Sequence, residues 1–160
     1  MQMDERYGYL RSEGEPFWEA TAIDPKSRLL ISFVVGRRDE ALIKELMEST
    51  KKRLRSPKDL VLMTDGERSY EGLFASIFGE PYRPARKGDR GRFPKARHRI
   101  KRSLAHLQLI KRRQGRRVME MIPTVAHGSW KRVERELERL DYEVPNLFKP
   151  SSVRTALRGG

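Results

Sequence analysis

Two aspartates raise the question of chemistry. Asp4 lies in "MQMDERYGYL", and Asp65 lies sixty-one residues later in "VLMTDGERSY". Asp65 follows four residues suited to a buried strand, where a carboxylate is costly to desolvate unless something offsets the charge. One answer is a helix cap, with Gly66 leading into a polar helical segment. The other is a cation. Mg²⁺ takes a few hard oxygen ligands and keeps several waters. Two such ions side by side activate a nucleophile and stabilise the leaving oxygen of a phosphodiester. Asp4, beside Glu5, also reads as an ordinary exposed residue near a terminus. Spacing alone leaves these readings open.

Other candidates carry less. Asp24 is followed by Pro25 in "DPKS", which makes it a turn residue. His98, His106 and His127 show no ligand spacing. "GDRGR", Gly88 to Arg92, is no phosphate-binding glycine loop, because no strand feeds it and no helix opens from it. With no cysteine, the chain has no disulfide and no thiolate-ligated zinc.

Charge supplies the second clue. The 160 residues carry a formal net charge of +13. Between Tyr82 and Arg117 stand fifteen Lys and Arg against one acid, Asp89, so this segment carries +14 and the remainder is close to neutral at −1. Such asymmetry points to a polyanion, nucleic acid first. The candidate phosphate-binding residues are Arg83, Arg86, Lys87, Arg90, Arg92, Lys95, Arg97, Arg99, Lys101, Arg102, Lys111, Arg112, Arg113, Arg116 and Arg117. The competing reading is a solvated basic loop. No apolar run approaches the roughly 18 residues of a membrane span, and the N-terminus lacks a basic-then-apolar leader. A cytoplasmic location is expected.

The elements that must position these residues follow from pattern. Met1 to Leu10 reads as a strand, "RSEGEP" as a turn and Phe17 to Ile23 as a second strand. Leu29 to Val35, "LLISFVV", reads as a central strand covered on both faces. Together they form an antiparallel meander. Asp39 to Arg55 has helical spacing at Ala41, Leu42, Leu46, Met47 and Leu54, with basic residues at its C-terminal end. Leu60 to Met63 is a fourth strand and Glu67 to Phe78 a second helix. This order requires a crossover that sets the fourth strand parallel to an earlier one. Pro81 to Ser103 reads as a flexible basic loop. Leu107 to Lys111 and Val118 to Val125 read as strands joined by "RRQGRR". Trp130 to Leu140 is an amphipathic helix with Val133, Leu137 and Leu140 on one side. The element order is that of an α/β, RNase H-like mixed sheet with flanking helices and a basic insertion, over residues 1–146. Residues 147–160 read as an irregular, disordered tail. In that architecture the first strand is central and the fourth runs beside it, so Asp4 and Asp65 come within bridging distance of a shared metal.

These segments resemble the catalytic part of DDE-type insertion-sequence transposases, the insertion-sequence-one-like group above all. "MQMDERYGYL" is similar to the group's first strand, where the first catalytic Asp is followed by Glu. "FWEATAIDPKSRLLISFVVGRRDE" is similar to its second and third strands. "LVLMTDGERSYEGLFASIFG" resembles the Thr/Ser-Asp-Gly-x-x-x-Tyr segment with the second catalytic Asp. "HLQLIKRRQGRRVMEMIPTVAHGS" resembles a later region with a Lys-Arg, Gly-Arg-Val and Gly framework. The likeness spans roughly residues 2 to 146, and it rests on order and spacing rather than on any one motif. It implies that Asp4 and Asp65 are two members of a catalytic triad binding Mg²⁺ (or Mn²⁺). The implied reaction is cleavage at transposon ends followed by transfer of a 3′-hydroxyl to target DNA. The basic segment would hold DNA phosphates.

The third member departs from the pattern. The family runs Asn-Thr-x-Phe-Val/Ile-Glu-Arg-x-Asn after its last helix. Here "VPNLFKPSSVRTALRGG" begins suitably with Pro145 and Asn146, then places Ser151 or Ser152 where Glu is expected. A one-base shift of one permitted codon set for Ser151 to Thr155 restores Glu-Arg-Pro-Asn. The expectation is therefore a truncated or frameshifted transposase catalytic domain, also lacking a DNA-binding module ahead of its first strand. It forms homo-oligomers with itself or with a full-length transposase. The alternative is a non-catalytic DNA-binding protein or transposition inhibitor. A nuclease without end specificity and a basic ribosome-associated protein rank below these.

Overall fold

In the computed structural model, residues 1–8, 17–86, 88, 92–115 and 117–140 are described. Within them the chain is an α/β mixed sheet of six strands with three helices and a separate two-stranded ribbon. The sheet elements are β1 (Gln2–Gly8), β2 (Phe17–Ile23), β3 (Leu30–Gly36) and β4 (Val61–Asp65), followed by β7 (Ala105–Gln114) and β8 (Arg117–His127). The helices are α1 (Glu40–Arg53), α2 (Ser69–Phe78) and α3 (Trp130–Arg139). The short strands β5 (Glu80–Tyr82) and β6 (Arg97–Arg99) pair with each other alone. The sheet order is β3-β2-β1-β4-β7-β8. Among the described residues no helix is long and apolar enough to cross a membrane.

The turn between β2 and β3 forms as its chemistry predicts, while the expected turn Arg11 to Pro16 lies outside the described residues. Asp24 accepts hydrogen bonds from the Lys26 and Ser27 amides and from the Ser27 hydroxyl at 2.6 Å. The Ser27 hydrogen bond holds its carboxyl below the usual range. β1 is central: it pairs antiparallel with β2 and parallel with β4, Gln2 lying opposite Met63. The parallel pairing needs a crossover, and α1 supplies it. A second crossover through α2 brings β7 parallel to β4, with Asp65 opposite Leu109.

α1 starts where Asp39 Oδ1 accepts the Leu42 amide at 2.9 Å, a side-chain N-cap. Its buried positions are Leu42, Ile43, Leu46, Met47 and Thr50. Those of α2 are Tyr70, Leu73, Phe74, Ile77 and Phe78, a three-and-four spacing that makes one apolar stripe. Both helices lie on one face of the sheet, packing against Met1, Met3, Ala20, Ala22, Val34 and Leu62. α3 covers part of the other face, where Val133 and Trp130 meet Val61, Met63, Ala105 and Leu107. Arg132 ties it down, bonding Ser103 O at 3.0 Å and Asp59 at 2.5 Å.

Three expectations need correction. β3 is an edge strand rather than a central one covered on both faces. Ser32 and Val34 face α1 and are buried, whereas Phe33 and Val35 are each 49% exposed. A continuous apolar run reads as two-sided burial, but here only one face meets a helix among the described residues. Pro81 to Ser103 is not wholly loop, since β5 and β6 pair across it, Pro81 opposite His98 and Tyr82 opposite Arg97. Their charged composition hides a three-residue ladder. Ala41 is exposed, and Ile43 takes its place in the α1 stripe. The expected tail from 147 onward, and Ser151 and Ser152 within it, lie outside the described residues.

Candidate functional site

The pairing Gln2 to Met63 sets an offset of sixty-one residues between β1 and β4. Asp4 and Asp65 each lie two residues past that pair, on neighbouring parallel strands. In-register residues of parallel neighbours point to the same face, and the strands run ~4.8 Å apart. The two carboxylates therefore share the face that α3 partly covers. Thr21 on β2 lies opposite Asp4, and Leu109 on β7 lies opposite Asp65. Asp4 is exposed and Asp65 half-buried.

Asp65 leaves the sheet into a held turn. Its Oδ1 accepts the Glu67 amide at 3.0 Å. Glu67 Oε1 in turn accepts from the Ser69 amide and hydroxyl, at 3.3 and 3.2 Å. The buried Gln108 side chain on β7 donates to Glu67 O at 3.2 Å. Glu67 thus holds the turn ahead of α2, whose N-cap, Arg68, makes no side-chain capping bond. Asp65 supports the turn through one oxygen, and its other takes no hydrogen bond among the described residues. On Asp4, Oδ1 accepts the Glu5 amide at 3.1 Å.

A third acid, Glu5, was missed as a site residue. Strand alternation turns it to the helix-covered face, where Tyr70 of α2 donates a hydrogen bond to its Oε1. Tyr70 is 0% exposed. Burial pushes the Glu5 carboxyl above its ordinary range against the pull of the Tyr70 bond, and the nearby Asp65 and Asp4 charges add to the rise. The Tyr70 hydroxyl is pushed well above its usual value, first by burial and then by Glu5. The available signals were the Asp-Glu pair of β1 and a Tyr five residues after Asp65.

Behind Asp65 lies His106, on β7 opposite Leu62. It is 0% exposed. Its Nε2 lies 2.9 Å from Thr64 Oγ1, and that hydroxyl also lies 2.9 Å from Asp65 O. The hydroxyl has one proton; if it goes to Asp65 O, Nε2 carries the ring proton and Nδ1 is left as a buried acceptor. Nδ1 has no partner among the described residues. Burial, with the His127 ring nearby, pushes His106 down to about 3. Its ring packs on Phe74 at 5.3 Å. His106 is a core residue, as is consistent with its lack of ligand spacing.

Two oxygen donors at one level suit a hard divalent cation that keeps most of its water. Among the described residues no group of three or more His, Cys, Asp or Glu is gathered to hold a metal. Asp4 and Asp65 are by themselves a set of two carboxylates, short of such a group.

The basic residues divide between two ends of the sheet. Lys101 and Arg102 precede β7, and Lys101 pairs with Glu80 at 2.6 Å. Arg97 and Arg99 lie on β6, whose His98 and Arg99 meet Gly79 at the end of α2. Arg99 covers the Tyr82 ring at 4.9 Å. Arg83, Arg86, Arg92 and Lys95 lie on the connection between β5 and β6, with Arg86 over Phe93 at 4.9 Å. Lys87, Arg90 and Arg116 lie outside the described residues. This group sits where β4 and β7 begin. Lys111, Arg112, Arg113 and Arg117 lie at the other end, past Asp65, on the projecting part of β7 and β8. Along β7, which starts at Ala105, Lys111 and Arg113 stand roughly 20 to 26 Å from the first group's end of the sheet, at ~3.3 Å per residue.

No family model, no curated protein and no solved structure matches this chain.

Proposed function

We propose that this chain is the catalytic region of a DDE-type DNA transposase on an RNase H-like fold, incomplete at its third carboxylate. One observation carries the reading: β1 and β4 are parallel neighbours with Gln2 opposite Met63, and Asp4 and Asp65 each follow that pair by two residues. The sheet order β3-β2-β1-β4-β7, antiparallel on one side of β1 and parallel on the other, supports the fold. The charge of residues 82–117 supports a nucleic-acid substrate.

Asp4 and Asp65 would hold Mg²⁺ or Mn²⁺. The ion, when bound, supplies Lewis-acid stabilisation of the developing phosphate charge and an activated nucleophile. The chain's own part is to hold those carboxylates in register, through the sheet and the Glu67 turn, and to bind DNA phosphates beside them. Ser151 or Ser152 stands where the third acid belongs, so strand transfer by this chain is weak or abolished.

The test is DNA binding and cleavage by the purified chain, with and without metal. Binding is expected in EDTA, with little end-specific strand transfer in Mg²⁺ or Mn²⁺. Any residual nicking is expected to fall about 100-fold or more in Asp65→Asn, as several kcal/mol of charge stabilisation are lost. Efficient strand transfer would overturn the incompleteness. Absence of DNA binding would overturn the whole reading. If binding in EDTA is steeply salt-dependent and no metal-dependent nicking occurs, the non-catalytic DNA-binding reading replaces it.

A further inference from the structure

The antiparallel strands β7 and β8 outrun the rest of the sheet. β4 ends at Asp65, level with Leu109, and β7 continues to Gln114 with only β8 beside it among the described residues. The pair turns at Gly115, whose φ of +60° suits a tight hairpin. What projects past the carboxylates is a two-stranded ribbon whose side chains from Lys111 to Gln114 and from Arg117 to Met119 are exposed.

Its charge is on both faces. Lys111 and Arg113 alternate with Arg112, so they share the face of Leu109 and Asp65 while Arg112 takes the opposite one. Arg112 contacts Glu120 at 3.4 Å and keeps 71% of its side chain exposed. Arg117 stands at the tip opposite Gln114. Lys111 to Glu120 holds five basic residues and one acid. A protein lying on a flat anionic surface needs cations on one face only. Cations on both faces suit a slot with anionic walls on either side. The major groove of B-form DNA is such a slot, about 12 Å wide, and admits a two-stranded ribbon. The ribbon also exposes Met119, at 61%, in a bulge between Glu120 and Val118. An apolar side chain there suits contact with thymine methyl groups. The A-form major groove of duplex RNA is too deep and narrow for side chains to read.

Resting on the proposed function, we infer that the β7–β8 ribbon enters the major groove of B-form duplex DNA, with Lys111 and Arg113 against the backbone nearest the carboxylates. The group around β5 and β6, at the far end of the sheet, holds a different stretch of nucleic acid.

The test uses the full chain, a short B-form DNA duplex and the matching RNA duplex, titrated between about 50 and 200 mM salt. The variants are Lys111→Gln with Arg113→Gln, Arg112→Gln with Arg117→Gln, and Arg97→Gln with Arg99→Gln. Each phosphate contact contributes about 0.9 to the salt slope, so each ribbon pair is expected to reduce it by about 1.8. All these residues are exposed, and circular dichroism checks that the variants fold. Because the chain has no cysteine, Gln114→Cys carries a single iron–EDTA label at the tip. Cleavage of the bound duplex within a few base pairs, offset between strands as a groove dictates, supports the inference. Scattered cleavage, equal binding of RNA, or an unchanged slope in both ribbon pairs overturns it. If the wild-type chain binds DNA through Arg97 and Arg99 alone, the inference falls and the proposed function stands. If it binds no DNA, both fall.

Discussion

Tyr70, fully buried on α2, donates its hydroxyl to Glu5 on β1, one residue from Asp4. That bond fastens the helix leaving Asp65 to the strand bearing Asp4. The two carboxylate strands are thus joined on the covered face of the sheet, while their aspartates lie on the other. A polar contact in the core costs desolvation, and its return is a fixed relation between two strand positions.

Tyr70→Phe leaves Glu5 without its buried donor. The expected loss is about 1–3 kcal/mol of stability, read as the midpoint of urea unfolding. The Tyr70 bond holds the Glu5 carboxyl down against burial, so the variant should also titrate higher, as seen by carboxyl NMR. An unchanged Glu5 titration would deny the bond.

His106 should make the fold sensitive to mild acid. Its folded value lies near 3, against an ordinary 6.5. As pH falls below 6.5, the unfolded chain takes up a proton that the folded ring refuses. Stability is therefore full above that point and declines toward pH 3, by at most about 1.4 kcal/mol per pH unit. Unfolding free energies measured from pH 7 downward should show the decline, and His106→Gln should flatten it.

Glu136 acts in a lower window. Burial raises its carboxyl, but hydrogen bonds from Arg139, at 2.6 Å, and Arg132, at 3.3 Å, outweigh burial and lower it. Its stabilisation is present above pH 4.5 and is lost as pH falls through the folded value. Glu136→Gln is expected to cost about 1–3 kcal/mol at neutral pH, and the difference from wild type should shrink in acid. A constant difference across pH would remove the charge from the account.

Gly128, between β8 and α3, has φ +87°, and a Cβ there would lie 2.6 Å from Leu104 O. Gly128→Ala is expected to cost about 2 kcal/mol or more, from the left-handed backbone and the clash. Thermal unfolding reads this directly, as a fall of roughly 2–4 °C per kcal/mol. An unchanged midpoint would show that the turn relaxes.

Much of this arrangement was legible in the chain alone. The span Phe17 to Ile23 matches β2, because a strand between two turn sequences announces both its ends. The Val133 face of α3 followed from helical spacing. The Asp24 turn followed from its proline. The acids Asp4 and Asp65 were visible as residue types out of place at strand positions.

Tertiary structure decided the rest, because it depends on register and on which faces find partners. Only the parallel pairing makes an interval of sixty-one residues into neighbours. Only the helix over one face turns Glu5, next to Asp4 in sequence, into the buried partner of Tyr70. LLISFVV read as central because local hydrophobicity says nothing about how many faces are covered, and β3 lies at the edge. The basic segment read as one patch because charge adds up along the chain. An extended β7 carries its two halves to opposite ends of the sheet. Residue type is set locally, but proximity between distant residues is set by the hydrogen-bond ladder that joins their strands.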